Sequence, residues 1–176
     1  MIAFNHANLI SLVQNRVLLS ELEIGSIQLG KHYHCIDLFE INDIYVIDPE
    51  IEGYNFENSN KTIRERLTQL ETLKGHIHLA GGLVCTVENQ RITEFRFTKK
   101  YMEPVAHFTR EDILKFHGEP DYELVDDELY GGFNYAIDSY ILVYPGKKLN
   151  FHVHPDTGKL VEITTHSLDA STLRRR

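Results

Sequence analysis

The 176-residue sequence predicts an α+β domain built on antiparallel hairpins, and three observations carry that prediction. Apolar residues alternate with polar ones across 83–97 and again across 149–165, the period of a half-buried strand. Two segments place apolar residues at helical spacing behind capping residues, Thr62 and Thr109. Short turn signals rich in Gly, Pro, Asn and Asp separate these elements, as a meander of adjacent strands requires.

The elements follow in order. Residues 8–22 place Leu9, Leu12, Val13 and Val17 on one helical face. Residues 32–39 and 44–48 read as strands, with a turn over Glu40–Asp43. An acidic polar loop spans 49–60. A second helix carries Ile63, Leu67, Leu70 and Leu73 on one stripe, with Thr62 and Glu65 at capping-box spacing, Asn60 as an alternative cap, and Gly75 placed to stop it. The apolar positions then select one hairpin register, Cys85 opposite Phe95 and Leu83 opposite Phe97; a slip of one residue would set Cys85 against Glu94.

A third helix has signals at both ends. Thr109 caps with Asp112, Phe108 is placed to staple against Ile113, Gly118 ends the helix and Pro120 forbids its return. Residues 121–125 and 133–137 read as short strands around Gly131-Gly132, followed by strands at 139–144, 148–154 and 159–165. A turn through Asp156 and Thr157, with Gly158 left-handed, pairs Val153 with Val161 and Phe151 with Ile163. The two hairpins match in pattern: Leu83, Cys85 and Val87 against Leu149, Phe151 and Val153, and Arg91–Phe95 against Lys159–Ile163. One domain over 1–176 is expected, with sub-units at about 1–100 and 101–167 and a flexible tail over 168–176.

The formal net charge of −8 argues against binding a phosphate backbone. No run has the length of a membrane span, and no signal peptide is read at the start of the chain, so a cytoplasmic, soluble protein is expected. Cys35 and Cys85 form no CxxC and lie in apolar stretches, which suits reduced thiols. Acidic residues gather in two places, one holding Asp48, Glu50 and Glu52, the other Asp126, Asp127 and Glu128. Such runs either solvate a loop or steer a basic partner.

Phosphate loops, nucleophile elbows, HExxH and dinucleotide fingerprints are absent from the sequence. Three His-x-His pairs stand out, at His32/His34, His76/His78 and His152/His154, where chance placement of ten histidines gives about half a pair. Residues i and i+2 of a strand share a face, so such a pair can share one metal ion. His152 and His154 are the metal candidates, because the hairpin register sets Glu162 opposite His152, and two histidines with a carboxylate suit zinc or non-haem iron. The structural alternative is a half-exposed sheet face that happens to carry histidines.

The stretch Phe108–Asp121, a capped helix ending in Gly-Glu-Pro-Asp, followed by a meander to Thr165, resembles one repeat of the β-lactamase-inhibitor-like fold of SmpA/OmlA-type outer-membrane assembly lipoproteins. The resemblance covers about a third of the chain and implies a protein-binding or inhibitory module. The first half has no Gly-x-Pro-Asp, and no export signal or lipid-attachment cysteine is read, so the envelope role does not carry over. Small size and acidity are also similar to those of immunity proteins that neutralise toxins. The favoured expectation is therefore a non-enzymatic module that takes a basic protein partner on its acidic loops and exposed sheet face, with no cofactor. The alternative is a small metal-dependent enzyme using His152, His154 and Glu162. A homodimer through a strand edge beside 139–144 is left open.

Overall fold

The computed structural model describes residues 6–47, 60–125 and 139–165. Eight strands form one antiparallel sheet in the order β1-β2-β3-β4-β8-β7-β6-β5. They are β1 (Ile41–Ile47), β2 (Lys74–Leu79), β3 (Leu83–Glu88), β4 (Arg91–Phe97), β5 (Tyr122–Val125), β6 (Tyr140–Tyr144), β7 (Leu149–Val153) and β8 (Leu160–Thr164). Among the described residues three α-helices accompany them: α1 (His6–Val13), α2 (Ile63–Gln69) and α3 (Arg110–His117). No helix among the described residues is long and apolar enough to cross a membrane.

One sheet face makes the core. Ile44, Ile77, Cys85, Phe95, Ile163, Phe151 and Leu142 from successive strands join Leu9 and Leu12 of α1, Leu70 beyond α2 and Ile113 of α3 in one buried cluster. The register of β3 and β4 is the expected one, with Cys85 opposite Phe95 and Leu83 opposite Phe97. Thr62 and Thr109 cap their helices as the spacing predicts, each in a reciprocal box with Glu65 or Asp112. Gly118, at φ 82°, closes α3.

The sheet consists of two four-stranded meanders that meet at β4 and β8, and the two follow one plan. Each hairpin at the seam slips by one residue at the matching place, between Thr86 and Val87 in the first and between His152 and Val153 in the second. The chain entering each meander also docks on the matching residue: His32 bridges Arg91, and Thr109 bridges Lys159. Residues 30–33 thereby pair with the part of β4 that β8 does not reach, through Gly30 N–H to Ile92 O and Ile92 N–H to Lys31 O.

Several expectations are corrected. Residues 32–39 are not a strand but two 3-10 turns, Tyr33–Cys35 and Leu38–Glu40. Local side chains take the backbone donors that a ladder would need: His32 Nδ1 accepts from His34 N–H, and Asp37 Oδ1 from Phe39 N–H. The strand begins at Ile41, inside the expected turn. Helix α1 stops at Val13, because Asn15 turns left-handed at φ 58° and its N–H bonds Leu12 O; Leu19–Glu21 is a separate 3-10 turn. Helix α2 ends at Gln69, so Gly75 does not terminate it but lies within β2. Val153 pairs with Leu160 rather than Val161, since the bulge falls within the strands and turns Leu160 into the core. Strand 121–125 pairs with β6, and the expected strand at 133–137 lies outside the described residues.

Candidate functional site

The histidine pairs reach three different environments. The register sets His152 opposite Glu162, as the sequence predicts. The face they share is nonetheless not an open one: His152 is 3% exposed and Asn150 1%. A hydroxyl lies against His152, with Nε2 3.1 Å from Thr164 Oγ1, and Asn150 Nδ2 donates to that oxygen at 3.1 Å. Arg96 takes the Glu162 carboxylate with two bonds, Nε to Oε1 at 2.6 Å and Nη2 to Oε2 at 3.0 Å. His154 lies past the end of β7 and caps the next turn, its Nδ1 accepting from Asp156 N–H. The proposed ligands thus have protein partners, and no group of three or more His, Cys, Asp or Glu among the described residues is arranged to hold a metal ion.

His76 and His78 lie on the same sheet face, two strands from the seam, half-buried. His76 Nδ1 lies 3.1 Å from Thr86 Oγ1, and burial pushes its pKa down to about 4. Burial also lowers His78, whose ring meets Tyr45 edge-on at 4.8 Å. Beside them on β1, burial would raise Asp43, but the Ile44 N–H and the Arg66 guanidinium outweigh it and hold the carboxyl below its usual range. Cys35 and Cys85 are free thiols, Cys85 fully buried with its pKa raised by that burial. Of the acidic binding candidates, Asp48, Glu50, Glu52, Asp126, Asp127 and Glu128 lie outside the described residues.

The remaining pair, His32 and His34, flanks a feature that strand periodicity concealed. Tyr33 between them is buried and its hydroxyl donates to Leu67 O of α2 at 3.0 Å, which ties the turn to the helix. The next turn is fixed at both ends: Asp37 caps Phe39, Glu40 N–H bonds Asp37 O, and Ala80 N–H bonds Glu40 O. This leaves the ring of Phe39 95% exposed on an ordered turn, between Asp37 and Glu40 in sequence. Beside the turn is a shallow groove of about 400 Å³, lined by Tyr33, His34, Ile36, Leu38, Arg64 and Leu67. Asp two residues ahead of Phe39 is the sequence signal for the cap, because its carboxylate competes with the ladder for that N–H.

Chemically, the groove offers apolar walls with one guanidinium and one imidazole, and no nucleophile paired to a base. Compared with known protein families, curated proteins and solved structures, the chain matches none of them.

Proposed function

We propose that this protein is a non-catalytic protein-binding module of the inhibitory, immunity-like kind, and that the turn carrying Phe39 is its docking point for a basic protein. The observation that carries the reading is the placement of that ring: 95% exposed, yet on a turn held by Asp37 and by the backbone of Ala80. Burying a phenylalanine on association is worth about 2–3 kcal/mol, and a turn already fixed in place loses little entropy when it binds. Aromatic anchors of this kind dominate binding energy where a partner supplies a pocket.

Charge selects the partner class. Asp37 and Glu40 flank the anchor and the chain carries a net −8, so a basic surface would be drawn to it and aligned upon it. The resemblance of residues 108–165 to a repeat found in protein-binding modules supports the same reading.

Affinity capture from cells that make the protein tests this. The unaltered chain should retain one basic protein that Phe39→Ala does not, and raising salt from about 50 to about 500 mM should release it. Capture of the same proteins by both chains would refute the docking point.

A further inference from the structure

Three elements, α1, α3 and the turn after β6, converge on one imidazole. His117, the last residue of α3, places Nε2 2.8 Å from Val13 O at the end of α1. A carbonyl only accepts, so Nε2 carries the proton and Nδ1 of the neutral ring presents a lone pair. Lys147 Nζ lies 3.2 Å from that Nδ1 and 3.4 Å from His117 O. The lysine comes from the 3-10 turn Pro145–Lys147 between β6 and β7; it is half-buried, with Nζ 5.7 Å from the centre of the Tyr144 ring. Asn15 Nδ2, bonded to Phe116 O at 3.1 Å, ties the chain after α1 to α3, and Tyr144 Oη, bonded to Gly118 O at 2.8 Å, ties the end of β6 to the end of α3 beside the pair.

We propose that Lys147 is a site of acylation by activated acyl donors such as acyl phosphates, with His117 as the base that accepts its proton. One N–H of the amine points at Nδ1, which turns the nitrogen lone pair away from the ring. In the reaction the ammonium first loses a proton to solvent. The nitrogen then attacks the acyl carbon, a C–N bond forms, and the C–O bond to phosphate breaks with its electron pair leaving on phosphate. The second nitrogen proton passes to His117 Nδ1 and on to solvent. The amide product keeps one N–H for Nδ1, so the acylated side chain makes the same contact. Burial, which lowers the pKa of Lys147, enlarges the fraction present as free amine.

Lys148, the next residue, is exposed and left-handed at φ 53°, and it serves as an internal reference on the same turn. The full chain is incubated with acetyl phosphate and the two lysines are followed by peptide mass spectrometry. Lys147 should acetylate roughly tenfold faster than Lys148, and His117→Gln should erase that lead without slowing Lys148. If His117→Gln does not fold, the rate ratio in the unaltered protein decides, since burial lowers the imidazole below its usual range and the ratio should fall as the pH is lowered from about 8 to about 5 and the ring gains a proton. Equal rates for the two lysines, a lead that survives His117→Gln in folded protein, or a ratio indifferent to pH would each overturn the proposal.

Discussion

Arg96 of β4 and Glu162 of β8 form a two-bond ion pair across the seam where the two meanders meet. The backbone ladder there has only two register pairs, Arg96 with Thr164 and Phe97 with Ile163, so side chains contribute much of the cohesion. Thr165 adds to it, its hydroxyl accepting from Phe95 N–H at 2.7 Å and its own N–H donating to Phe95 O at 3.0 Å. Removing one partner strands the other's charge on a largely buried face. Arg96→Ala should therefore destabilise the fold by about 2–3 kcal/mol. A double-mutant cycle with Glu162→Ala, read by urea denaturation, should return a coupling of about 1–2 kcal/mol.

Gly75 is required by space and not by turn geometry. A Cβ there would lie 2.5 Å from Leu70 Cδ2 and 2.6 Å from Tyr45 O, against a buried side chain and the backbone of β1. Gly75→Ala should cost about 2–4 kcal/mol and lower the melting temperature, whereas Gly146→Ala, where a Cβ meets nothing within 4 Å, should not.

His76 makes stability depend on acid. Burial depresses its folded pKa to about 4, below the unfolded value near 6.5, so the unfolded chain takes up the proton first. The contribution is complete above about pH 6.5 and is lost as the pH falls from there toward about 4, to the extent of about 2–3 kcal/mol. His78 and His117, both lowered by burial, act in the same direction. Denaturation midpoints measured across this range should fall with pH, and His76→Gln should flatten part of that slope.

Thr109 has two duties: its hydroxyl accepts from Asp112 N–H as the cap of α3, and its residue bridges Lys159 at the start of β8. Thr109→Ala removes only the cap, and a loss of about 1 kcal/mol is expected in chemical denaturation. Thr109→Ser should restore it.

The parts of the fold legible in the sequence are those where local chemistry and burial agree. Leu83, Cys85, Phe95 and Phe97 alternate cleanly, and the core sits on their side, so the register could be read without coordinates. Residues 32–39 alternate as well, but Asp37 and His32 bind backbone donors locally, and a period of two cannot reveal that competition. His152 facing Glu162 was legible from turn geometry. The pairing of Glu162 with Arg96 was not, because it depends on β4 meeting β8 across 66 residues of chain. Nor does an alternating pattern disclose that Asn150 and His152 are buried, since polar residues on a strand ordinarily mark its exposed side. The exposure of Phe39 is hidden in the sequence for the converse reason: in an alternating stretch, an apolar residue reads as core.

In the proposed function Phe39 anchors a protein partner while contributing nothing to the fold. The most direct measurement is the affinity of the captured partner for the unaltered chain and for Phe39→Ala, by titration calorimetry, together with the melting temperature of each chain. Phe39→Ala should lose about 30-fold or more in affinity, equivalent to about 2 kcal/mol, at an unchanged melting temperature. Affinities within about twofold of each other, or a lowered melting temperature that accounts for the loss, would contradict it.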